Sequence, residues 1–196
     1  MSVVSSPKSL VHSDATTVVP ARRWGIWWFL GSEIVTFGGL LVCFLLSRLH
    51  HTEWASEASH TLLWVGTINT IVLLTSSLTV ILAHHEAHEN RSGLAARYLG
   101  ITILLGLLFT GFKIYEYSHE VAAGLLPSRS LFWSYYYLMT GLHMLHVLGG
   151  IVAIFFVRRG VLRGQNLERV EVAGIYWHFV DVVWIYLFPL LYVTSH

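Results

Sequence analysis

Charge is what this sequence has least of. Lysine, arginine, aspartate and glutamate make up 12% of its 196 residues, while 55% are hydrophobic and the mean hydropathy is +0.61. That balance excludes an ordinary soluble domain and describes an integral membrane protein. Cysteine is nearly absent, with Cys43 alone inside an apolar run. An internal disulfide, a C-x-x-C zinc or redox site and C-x-x-C-H attachment of haem are all ruled out by that count. The net charge of +1, with histidine neutral, gives no pull toward nucleic acid. Residues 1–21 are rich in serine, threonine, valine and proline and lack the apolar core and cleavage site of a secretory leader. They read as a flexible, uncleaved cytoplasmic arm preceding a single domain over residues 22–196.

What the chain has in abundance is long apolar runs. A hydrocarbon core of about 30 Å takes about 20 apolar residues per helix, and five stretches qualify: 24–46, 62–83, 98–117, 131–157 and 172–193. The predicted fold is therefore an all-α integral membrane bundle of five transmembrane helices, antiparallel in sequence order because the connections are short. Trp24, Trp27, Trp28, Trp133 and Tyr192 stand near span ends, where aromatic rings rest at the headgroup levels. Lys8, Arg22, Arg23, Arg91, Arg97, Arg158, Arg159, Arg163 and Arg169 all fall on one side of this topology. The other side has only Arg48 and Arg129, with Lys113 left inside the third span. An excess of basic residues marks the cytoplasmic side, so the N-terminus is expected inside and the C-terminus outside.

Ionisable residues at membrane depth are expensive and usually face protein, water or a partner. In Trp177-His178-Phe179-Val180-Asp181-Val182-Val183-Trp184 a histidine and an aspartate sit one helical turn apart in an apolar span. Glu33 lies ten residues past Arg23, about 15 Å along its helix and close to mid-membrane, where a lone carboxylate needs a partner. On the fourth span His143 and His146 occupy adjoining faces, and Gly141, Gly149 and Gly150 would admit a neighbouring helix. His146 and Asp181 fall at a depth comparable with Glu33. Two readings stay open for these groups: interhelical hydrogen bonds that hold the bundle, or a proton or water path in contact with a larger partner. Glu33 is the best candidate for the second, since glutamate makes poorer interhelical glue than Ser, Thr or Asn.

Metal readings are weaker. His143, His146 and His178 are the obvious candidates for haem ligation. Glu57-Ala58-Ser59-His60 and Glu116-Tyr117-Ser118-His119 match the E-x-x-H spacing of di-iron bundles. The first lies in a loop, however, and the second at the outer end of its helix without further glutamates at that level. In His84-His85-Glu86-Ala87-His88-Glu89 the spacing departs from the H-E-x-x-H zinc motif. The i, i+4 pair His84 and His88 could hold a metal opportunistically, but a solvated helix end accounts for the run. No metal site is assigned.

These motifs, taken together, resemble one family, subunit III of the haem-copper respiratory oxidases, typified by cytochrome c oxidase. The carrying residues are Gly31-Ser32-Glu33 with Phe37-Gly38-Gly39, Asn69-Thr70 through Ala83-His84-His85, and Ile101-Thr102-Ile103-Leu104-Leu105-Gly106 with Tyr115-Glu116-Tyr117. Thr140-Gly141-Leu142-His143-Met144-Leu145-His146-Val147 and Tyr176 to Trp184 complete the set. The commonest form of the family has seven helices; this chain resembles the last five, as in a five-helix bacterial form. The resemblance implies a non-redox accessory subunit of a proton-pumping terminal oxidase in aerobic respiration, multi-pass in the bacterial cytoplasmic (inner) membrane. It would carry no cofactor itself, with haem and copper in partner subunits and structural phospholipid as a possible ligand. Its expected partners are the catalytic subunit I, through it subunit II, and membrane lipids, with no nucleic acid. Glu33 matches the family's buried acidic residue, and its role would be proton-linked, in support of proton uptake by subunit I. Glu116, His143, His146, His178 and Asp181 match motif positions assigned to a polar seam inside the bundle. Alternatives are the related subunit of a bacterial nitric oxide reductase, a free-standing transporter built on Glu33, His146 and Asp181, or a haem-binding cytochrome.

Overall fold

Between Pro20 and Pro127 the chain contains no proline, and in hydrocarbon an isolated apolar segment satisfies its own amides only as a helix. The computed structural model of the protein describes residues 21–50, 54, 57, 61–165 and 167–193. Five helices cross it: α1 (Ala21–His50), α2 (Leu63–His88), α3 (Ser92–Ala122), α4 (Leu131–Leu162) and α5 (Arg169–Phe188), the last continued by a π-helical turn, Pro189–Val193. All five are long and apolar enough to cross a membrane, giving the all-α bundle expected from hydropathy. The proposed arm lies outside the described residues except for Ala21, which opens α1. Helix α3 begins at Ser92 rather than 98 and ends at Ala122 rather than 117. Hydropathy marks only the hydrocarbon slab, whereas a helix keeps its hydrogen bonds through the headgroup levels.

Helices α2, α3, α4 and α5 close into a ring, each packed on the next, with α5 returning to α2; α1 lies outside, against α4 and α5. Trp177 on α5 holds the ring at its centre. It is fully buried and donates its indole N–H to Ser76 Oγ of α2 at 2.9 Å. A Cβ added to Gly106 of α3 or Gly150 of α4 would come within 2.9 Å of the same indole, so glycine at both positions is what admits the ring. At the other two glycines expected to permit close approach, Gly149 and Gly141, an added Cβ would stand at the ordinary distances of 3.5 and 3.9 Å from tyrosine hydroxyls.

Helix α1 is held differently. Its buried side chains are Leu30, Phe37 and Phe44, one every seventh residue, a single narrow stripe of the kind a helix presents to one groove. The turn between α2 and α3 is tight: Asn90 takes a positive φ of 57°, and Arg91 pairs with Glu86 at 2.7 Å. After Phe188, Pro189 cannot donate the next helical hydrogen bond. The chain widens into the π turn, and Tyr192 becomes fully buried among the other helices.

Candidate functional site

Glu33 sits on the buried stripe of α1, one turn before Phe37, and this register carries it to α4. Its Oε2 lies 3.1 Å from His146 Nε2, with both side chains largely enclosed. The other ring nitrogen, Nδ1, is 2.8 Å from the carbonyl oxygen of Leu142. A carbonyl can only accept, so Nδ1 carries a hydrogen. Nε2 is left as the ring nitrogen that faces the Glu33 carboxyl. Phe37 packs edge-on against the same imidazole at 5.3 Å, Phe29 meets Tyr176 at 6.0 Å, and Tyr176 donates to the His146 carbonyl at 2.9 Å. The Glu33–His146 contact is thereby built into the seam that attaches α1 to the ring.

A second polar group lies inside the ring, toward the Ala122 end of α3. Lys113 Nζ donates to Glu116 Oε2 at 3.0 Å, to Tyr136 OH at 3.1 Å and to Tyr192 OH at 2.8 Å. All three ammonium hydrogens are used. Tyr136 in turn donates to Glu116 Oε1 at 3.0 Å. The ammonium also faces the rings of Tyr117, Tyr136, Trp184 and Tyr192 at 4.9–5.6 Å, where ring quadrupoles favour a cation. Lys113, Glu116, Tyr136, Tyr192 and Glu120 are all fully buried. Glu120 lies beside Tyr136 and Tyr137, yet neither of its oxygens completes a hydrogen bond. Sequence reasoning singled out Glu116 alone from this group. The signal was nevertheless present: Lys113, Glu116 and Glu120 follow at i, i+3 and i+7 on one helix face.

The remaining sequence-derived residues fall elsewhere. His143 is stacked on Trp184 at 5.2 Å with Phe109 edge-on, and neither ring nitrogen has a hydrogen-bond partner. His178 and Asp181 face α2: His178 Nδ1 is 2.7 Å from Ser77 Oγ, while Asp181 lies beside that hydroxyl with both oxygens unpartnered. The six residues therefore divide among the α1–α4 contact, the interior of the ring and the α2–α5 interface. Glu33 meets His146, and neither meets Asp181. The His84 and His88 rings touch at 4.7 Å on the last turns of α2. Within the two E-x-x-H segments, Glu57 accepts from Trp133 Nε1 at 2.6 Å, residues 58–60 lie outside the described residues, and Glu116 belongs to the Lys113 group. Among the described residues no three His, Cys, Asp or Glu side chains are grouped to hold a metal ion.

Comparison with known proteins gives this arrangement a family. The family model for cytochrome c oxidase subunit III matches residues 4–196. Cytochrome c oxidase subunit 3 of Thermostichus vulcanus is 38% identical over 179 residues, 89% of this chain and 88% of that protein. The protein of the same name from Alkalihalophilus pseudofirmus is 37% identical over 190 residues, covering 94% and 92%. Subunit 3 of the cytochrome bo(3) ubiquinol oxidase of Pseudomonas aeruginosa is 34% identical over 177 residues, covering 88% and 84%. Five helices long and apolar enough to cross a membrane and these matches over nearly the whole sequence together establish that the chain belongs to the cytochrome c oxidase subunit III family of haem-copper oxidases.

Proposed function

We propose that the chain is the non-redox accessory subunit of an oxygen-reducing, proton-pumping terminal oxidase of the cytochrome c oxidase type. In that role it stabilises the catalytic subunit I and supports proton uptake during turnover. The observation that carries the reading is the Glu33–His146 contact, a carboxyl and an imidazole 3.1 Å apart and largely enclosed where α1 meets α4. A carboxyl in contact with an imidazole is a pairing suited to passing a proton. His146 contacts Glu33 and Leu142, His178 contacts Ser77, and His143 is packed between Phe109 and Trp184; electron-transfer centres belong in this reading to the partner subunits. Two of the relatives are named as subunits of cytochrome c oxidases and a third as a subunit of a ubiquinol oxidase, and the choice of electron donor belongs in this reading to the partner subunits.

The same reading places the chain in a bacterial cytoplasmic membrane. The bundle end carrying Arg91, Arg97, Arg158, Arg159, Arg163 and Arg169 faces the cytoplasm under the basic-residue asymmetry. Purification in mild detergent through a tag on this chain should recover a larger subunit with haem and copper that oxidises cytochrome c. Recovery of a haem protein that reduces nitric oxide, or of this chain alone, would overturn the assignment. Glu33→Gln should leave the complex assembled and the initial rate of oxygen reduction nearly intact; loss of haem from the purified mutant complex would contradict an accessory role.

A further inference from the structure

The polar group inside the ring contains one carboxyl more than it has cations. Lys113 supplies one positive charge, and Glu116 meets it at 3.0 Å. Glu120, one turn further along α3, is fully buried, and neither of its oxygens has a hydrogen-bond partner. The donors around it are committed elsewhere. All three ammonium hydrogens of Lys113 go to Glu116, Tyr136 and Tyr192, and the Tyr136 hydroxyl donates to Glu116 Oε1. Thr140 spends its own hydrogen on the Tyr136 carbonyl, so in the 2.6 Å contact between Tyr117 and Thr140 the tyrosine is the donor. Tyr137 lies beside Glu120 with its hydroxyl buried and likewise unpartnered.

An ionised Glu120 would be a second anion in a group whose one cation, among the described residues, is already matched. Burying an unpaired charge is costly enough that a carboxyl so placed takes up a proton instead. Its position adds to that cost. Glu120 lies in the last turn of α3, two residues before Ala122, where the negative end of the helix dipole disfavours a carboxylate. We propose that Glu120 carries a proton and forms a second proton-binding site, separate from the Glu33–His146 contact, that exchanges with water at the Ala122 end of the bundle. The titratable groups facing it are Lys113 and Glu116 from α3 and Tyr136 and Tyr137 from α4, with Tyr192 of the π turn 3.1 Å from the Tyr136 hydroxyl. The path for exchange is short. Glu120 is about 3 Å along the axis from the end of its helix, and Tyr137 beside it is only partly buried. A protonated carboxyl both donates and accepts, so it can pair with the Tyr137 hydroxyl in either sense. The site belongs to this chain and is testable whichever oxidase or reductase the chain accompanies.

Infrared spectroscopy of the assembled complex at neutral pH tests this. On transfer from water into deuterium oxide, an exchangeable protonated carboxyl shifts its C=O stretch in the region above the amide bands, whereas a carboxylate has no stretch there. The exchange difference spectrum of the parent complex should contain one carboxyl band that is lost in Glu120→Gln. Tyr137→Phe leaves the carboxyl in place and removes the hydroxyl beside it, so it should shift that band in frequency; it decides the matter if Glu120→Gln fails to assemble. Parent and Glu120→Gln spectra that coincide above the amide bands would mean that Glu120 is ionised or closed to water, and would overturn the proposal. A Tyr137→Phe spectrum identical to that of the parent would overturn it as well.

Discussion

Glu33 and Glu116 are both glutamates within membrane helices, and the bundle treats them in opposite ways. Glu116 is enclosed in the ring with the Lys113 ammonium, two tyrosine hydroxyls and four aromatic faces around it. Glu33 sits on a helix attached by a narrow stripe, with 17% of its span buried against 39% for α3, which carries Glu116, and its partner is a single histidine. The first arrangement fixes each side chain by several partners from three segments. The second joins one carboxyl to one imidazole near the edge of the bundle. Burial and polar partners do not by themselves mark a functional site.

The largest effect should come from breaking the inner group. Lys113→Met leaves Glu116 without its cation, a loss of about 3–5 kcal/mol. The expected result is failure to accumulate in the membrane, with Lys113→Met/Glu116→Gln recovering much of the stability; equal losses in the single and double variants would remove the distinction drawn here. Trp177→Ala should cost about 3–5 kcal/mol through the cavity it leaves. It should lower the thermal transition of the purified complex without altering its haem spectrum.

On the outer contact the effects shrink. His146→Ala removes the partner of Glu33 and should cost about 1–3 kcal/mol, read as easier loss of α1 to limited proteolysis. A destabilisation as large as that of Lys113→Met would show that the two groups differ less than their geometry indicates. Glu33→Gln should cost under about 1 kcal/mol, since the amide can donate to His146 Nε2. Smallest is Ser47→Ala, which removes a 3.3 Å hydrogen bond to Tyr135 at the other end of α1 and should fall within about 0.5 kcal/mol of the parent in a melt.

Lys113 illustrates where reading the chain stops. By the basic-residue count it is merely the one cation left inside a span, and its spacing to Glu116 and Glu120 puts the three on one face. Nothing local, however, indicates that Tyr136 from α4 and Tyr192 from beyond Pro189 converge on it. Depth along a helix was likewise readable for Glu33, His146 and Asp181, because rise per residue is a property of one segment. Rotation was not. Asp181 faces α2, beside Ser77, because Trp177 fits against Gly106 and Gly150 and so sets the turn of α5 about its axis.

The sequence by itself determined that this is a membrane bundle of five helices and which family it joins. Hydropathy and spacing act within single segments, and lipid leaves an isolated apolar segment only one conformation. Tertiary structure decided the partners: Glu33 with His146, Glu116 with Lys113, and Asp181 with the α2–α5 interface. Those pairings depend on how small and large residues of different helices interlock, and that information resides in no segment alone.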